Sequence, residues 1–115
     1  MELKVIKVEN EENHECVVFE VTEDCNLWPY IVFDSTYEDT EVSNIHRHSY
    51  IFPNQDVKAR DFVLLYTNGG ERNHYRNRAG STTWEFFWGL DVNVWNKEED
   101  EVLLVKMAEF KRFPF

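Results

Sequence analysis

Two histidines, His46 and His48, stand two residues apart in a His-Arg-His tripeptide. On an extended strand, residues two apart share a face, so both imidazoles could point at one metal ion. A metal centre needs further ligands, and His14, His74 or Glu85 could supply one only through the fold. The pair by itself reads as a polar strand edge. No bound metal is expected, and His46 and His48 are where one would go. A second chemistry-bearing stretch is RNHYRNR, the local concentration of positive charge. Arg72, His74, Arg76 and Arg78 alternate there, with Tyr75 among them. If the segment is extended, the four make one positive ridge. Such a ridge could hold phosphates, with Tyr75 as a stacking plate, or an acidic protein surface.

The charge of the whole chain bears on that choice. It has 22 Asp and Glu against 12 Lys and Arg, a formal net charge of -10. A surface this acidic repels nucleic acid and anionic lipid at long range. The ridge is therefore expected to meet a protein partner, the chain's own acidic surface, or an acidic patch on a second copy as a weak dimer at most. Nucleic acid is disfavoured. Arg72, His74, Tyr75, Arg76 and Arg78 are the candidate binding residues.

Catalysis finds less support. No Gly-x-Ser-x-Gly occurs, and Cys16 sits inside an apolar run, where burial would raise its pKa and blunt it. Ser81, Thr82 and Thr83 read as a turn leading into a strand. The carboxylates gather in charge runs such as ENEEN and EEDE, the usual signature of a solvated face. TNGGE lacks the Lys and the helix start of a phosphate loop. No enzymatic activity and no cofactor are expected. The alternative is a metal-dependent small-molecule enzyme or sensor using His46 and His48 in a β-barrel.

The elements that must position these residues are β-rich. ECVVFEVT places Val17, Phe19 and Val21 on one face, and DFVLLYT is apolar on both, as a central strand would be. TWEFFW sets Trp84, Phe86 and Trp88 against Thr83, Glu85 and Phe87. LKVIKV, WPYIVFD, SYIF and EVLLVKM complete seven or so short strands; Pro29 marks an edge or a strand start. The stretch after Asn96 has helical composition, but its run of like charges and Leu103, Leu104 and Val105 favour a strand. With 115 residues, 43% of them apolar, the chain suits one domain over residues 1–115 with a single core. It shows no repeat, no linker and no apolar run of membrane-spanning length. MELKVIKVENEE is not a secretory leader, so a cytoplasmic setting with Cys16 and Cys25 reduced is expected.

Trp88 and Trp95 frame the last third of the chain. Each is a large apolar body with an N–H that needs a partner. Gly89 suits a bend, Asn96 can open a turn, and Asp100 can close it. YIFPNQDVKARDFVLLYTNGG (50–70) and FFWGLDVNVWNKEEDEVLLV (86–105) together resemble lamin-tail domains of the bacterial type. The resemblance covers about half the chain, with the first 45 residues matching in strand pattern only. It implies an all-β, antiparallel immunoglobulin-like β-sandwich that works as a binding or scaffolding module, with Trp88, Gly89, Trp95, Asn96 and Asp100 as its structural motif.

Overall fold

The computed structural model describes residues 1–11, 14–38, 41–95 and 100–115, and the side chains of all of these except 11, 35–38 and 41–47. The described residues form ten strands: β1 (Leu3–Glu11), β2 (His14–Val21), β3 (Cys25–Asn26), β4 (Tyr30–Glu38), β5 (Glu41–Ile51), β6 (Asp56–Val57), β7 (Phe62–Tyr66), β8 (Asn73–Arg76), β9 (Thr82–Phe87) and β10 (Asp100–Lys106). No helix occurs among them. A five-stranded sheet runs β1-β2-β7-β9-β8, a three-stranded sheet runs β10-β4-β5, and β3 pairs with β6.

The expected all-β sandwich is the architecture observed. Its core draws on both large sheets. Alternation along β2 sends Val17, Phe19 and Val21 inward, against Val63 and Leu65 of β7 and Phe86 of β9. The opposing layer contributes Tyr30 and Val32 of β4, with Phe52 just beyond β5. Phe52 bridges the layers edge-on, 5.7 Å from the Phe19 ring and 5.4 Å from Phe86. Pro29 stands immediately before β4, the central strand of its sheet, and so marks a strand start.

One pairing departs from the antiparallel pattern: β7 and β9 are parallel. The reason lies in the side chains. β9 carries the core residue Phe86 and the partly buried Trp84 packed against the core, whereas all four residues of β8 are exposed. The apolar strand takes the interior position and the polar strand takes the edge, so the chain skips one place after β7 and returns through a hairpin. The crossover passes close over the sheet at Gly70, where a Cβ would lie 2.5 Å from the Phe87 ring. A glycine is needed there for clearance.

β5 also differs from the short SYIF strand expected, since it reaches back through His46 and His48. His48 lies opposite Asp34 and His46 opposite Ser35, with the register broken between those pairs. An extra residue thus stands between the histidines, and the two-residue alternation that would put them on one face is interrupted.

Candidate functional site

The hairpin that ends the five-stranded sheet builds the site. Asn77 N–H donates to the Ser81 carbonyl (2.9 Å) and Gly80 N–H to the Asn77 carbonyl (3.1 Å). Gly80 has φ +85°, the left-handed conformation that glycine adopts without strain in a three-residue hairpin loop. The Asn77 side chain ties the turn further, its Oδ1 accepting from Ala79 and Ser81 N–H. This turn sets the register that places His74 opposite Trp84 and Arg76 opposite Thr82.

His74 stacks on Trp84 with centroids 4.9 Å apart, and the Arg72 guanidinium sits 5.1 Å from the Phe86 centroid. Beside Trp84 lies a cleft of about 420 Å³, between the 58–61 turn and the hairpin turn. A smaller groove of about 320 Å³ continues from Trp84 along Arg72 and His74. Asp61 supports the floor. It is buried, and its carboxylate accepts from Trp84 Nε1 (2.9 Å), Thr82 N–H (3.0 Å) and Lys58 N–H (3.0 Å). Arg60, at φ +77°, is a non-glycine residue in the left-handed region, held there as Arg60 N–H donates to the Val21 carbonyl. Lys58 and Arg60 line the cleft, and Arg76 Nη2 lies 4.0 Å from where a Cβ on Gly80 would stand. Among the described residues, no ion pair engages Arg60, Arg72, Arg76 or Arg78.

The structure thus brings Arg72, His74 and Arg76 to one face of the edge and separates the other two candidates. Tyr75 is 45% exposed on the opposite face, where Asn73 bonds to Glu85. Arg78 sits in the hairpin turn, outside β8. The aromatic plate on the cationic side is Trp84 rather than Tyr75. Trp84, Lys58, Arg60 and Asp61 were not among the sequence candidates. Reading Asn77 to Gly80 as a hairpin turn would have found Trp84, because that turn fixes its partner as His74.

The other singled-out residues lie elsewhere. His48 Nδ1 is 3.0 Å from Asp34 Oδ2, its N–H donates to Asp34 Oδ1 (2.9 Å), and its ring meets Trp88 edge-on. The His46 side chain lies outside the described residues, and among those described no group of three His, Cys, Asp or Glu could hold a metal. Trp88 Nε1 donates to the Ser49 carbonyl and Trp95 Nε1 to the Glu101 carbonyl, each at 3.0 Å, with the two rings 5.6 Å apart. Gly89 turns the chain at φ +83°. Buried Glu15 accepts from Val94 N–H (2.6 Å) and Trp95 N–H (3.1 Å). Asn96 lies outside the described residues. Asp100 opens β10 opposite Thr36, and the turn it was expected to close, 96–99, lies outside the described residues; its Oδ2 has no hydrogen-bond partner among the described residues. Burial pushes the Cys16 thiol up to about 12, which leaves it protonated and inert as a nucleophile at neutral pH. Cys16 and Cys25 are both free. Among the described residues, no helix is long and apolar enough to cross a membrane. No protein family, curated protein or solved structure matches the chain.

Proposed function

We propose that this chain is a non-catalytic binding module that recognises a protein partner along β8 and the Trp84 cleft. The observation that carries the reading is a fully exposed edge strand carrying Arg76 and preceded by Arg72, neither of which has an ion pair among the described residues, in a chain of net charge -10. With so many carboxylates at hand, a positive edge left unneutralised is suited to an acidic surface on another molecule. The aromatic floor beside it adds apolar contact area with the Trp84 indole N–H already satisfied by Asp61. The same net charge disfavours nucleic acid as the partner. The scaffolding role implied by the resemblance of 50–70 and 86–105 to lamin-tail domains agrees with this reading, and we propose a cytoplasmic setting with both thiols reduced.

Affinity capture from the native cell extract tests the proposal. Wild type, Arg76→Glu, Trp84→Ala and a control reversal in the C-terminal segment, Lys111→Glu, are compared. A discrete protein held by wild type and Lys111→Glu, and lost from Arg76→Glu and Trp84→Ala, is the expected result. Identical capture by all four would remove the β8 edge from the function.

A further inference from the structure

We propose that β8 accepts an extended, acidic segment of another protein as a sixth strand of the five-stranded sheet. The inference rests on the reading of β8 as the recognition edge and adds what the partner must be. The main chain carries the first part. Asn77 N–H bonds to the Ser81 carbonyl, so the hairpin closes at a hydrogen-bonded position. Such positions recur at every second residue of an antiparallel ladder, which turns the N–H and C=O groups of Tyr75 and Asn73 toward β9. The corresponding groups of His74 and Arg76 then face the free edge. A peptide strand supplies the matching alternation of donors and acceptors, whereas phosphates supply acceptors only.

The side chains carry the second part. Arg72, His74 and Arg76 share the face that overlooks the cleft, and Lys58 and Arg60 stand on its wall. Carboxylates at every second position of an added strand would run alongside Arg72, Arg76 and Arg60, whereas Lys58 already lies 3.9 Å from Asp24. A short edge bearing charges resists indiscriminate pairing, and here the sign of the charge selects an acidic strand.

A second copy fits less well. Pairing β8 with another β8 would bring Arg72 and Arg76 toward like charges. Pairing β8 with β1, the opposite edge of the same sheet, is a head-to-tail contact that would assemble copies into a ring or an open fibre rather than a two-fold dimer. The occupant that meets both constraints is a different chain.

Calorimetry with the whole protein at about 50 mM NaCl tests this, low salt being used to limit screening. The probe is an N-acetylated octapeptide alternating Glu with Thr and Val; its companion is N-methylated at every central residue, which removes the main-chain donors and keeps the charge. The unmethylated peptide is expected to bind. Methylation, or Arg72→Glu with Arg76→Glu, should weaken binding by about tenfold or more, while Lys111→Glu leaves it unchanged. Should the double reversal fail to fold by circular dichroism, Arg76→Gln replaces it, with a loss of about threefold expected. Equal affinity for both peptides would overturn strand addition and leave acidic-partner recognition at this edge standing. Failure of the unmethylated peptide to bind would overturn the proposal, with the capture experiment still deciding the broader reading. Tighter binding of an octathymidylate than of the peptide would overturn the peptide as the class of ligand, and a peptide-independent dimer lost in the double reversal would point to a second copy.

Discussion

Two of the tryptophan neighbourhoods, that of Trp88 and Trp95 and that of Trp84, use the same device to different ends. At Trp88 and Trp95, a buried carboxylate, Glu15, accepts main-chain N–H groups and pins a crossing segment. At Trp84, a buried carboxylate, Asp61, does the same for the turns on either side of it. In both places the indole N–H groups are satisfied. The difference is in what covers the rings. Trp88 meets His48 and Tyr50 of β5, and its N–H reaches Ser49 of the same strand, so the three-stranded sheet packs against it. Trp84 is stacked on His74 and bonded to Asp61, both on the five-stranded side, and the space beside it is a cleft. An indole with its polar group satisfied can serve as filler or as floor. Whether the opposing layer reaches it decides which.

The comparison breaks most visibly at the closed site. Trp95 is only 7% exposed, and Trp95→Ala should lower unfolding free energy by about 4 kcal/mol, measured by urea titration, because the cavity it leaves is walled by both layers. The open site should yield less. Asp61→Ala leaves three N–H donors without their acceptor, at a cost of about 2–3 kcal/mol. Asp61→Asn, which keeps one acceptor oxygen, should recover part of the loss. If Asp61→Ala proved costlier than Trp95→Ala, the division into filler and floor would be the wrong way round.

The smallest effect is expected at a third tie, remote in sequence from both neighbourhoods. Lys106 Nζ lies 2.7 Å from Glu2 Oε1, and Tyr30 OH donates to Glu2 Oε2 at 2.6 Å. Lys106 first, and Tyr30 second, hold the Glu2 carboxyl down to about 2 from 4.5, while burial and the hydrogen bond to Glu2 push the Tyr30 phenol up to about 12. A carboxyl with a depressed folded pKa stabilises fully above its unfolded value and loses that contribution as pH falls through the folded one. Stability should therefore decline between about pH 4.5 and pH 2. Glu2→Gln should be slightly less stable at neutral pH, with a shallower acid decline in thermal melts, since partly exposed ion pairs contribute little. An unchanged acid limb in Glu2→Gln would show that the tie does not link the N-terminus to β4 and β10 in solution.

Much of the scaffold was legible in residue order, and the site much less so. The inward faces of β2 and β9 follow from period-two alternation, which is local and needs only neighbouring residues. The two-sided apolar run 61–67 foretold a central strand, and β7 lies between β2 and β9. The binding candidates of the 72–78 stretch were visible for the same local reason. Their separation, with Tyr75 turned to the far face and Arg78 in the turn, depended on where the hairpin closed. The Asn77 to Gly80 turn chemistry was there to be read. The cleft was not, because Lys58, Arg60 and Asp61 approach Trp84 from a different turn more than twenty residues earlier in the chain.

What the amino-acid order determined by itself is the strand pattern, the apolar faces and the strongly negative charge, all set by side-chain type and local periodicity. Which strand took the edge, that His48 met Asp34, and which tryptophan came to border a cleft were decided only when distant strands paired. Burial of the most apolar strands ranks the positions in a sheet, and that ranking compares segments that do not touch until the chain is folded.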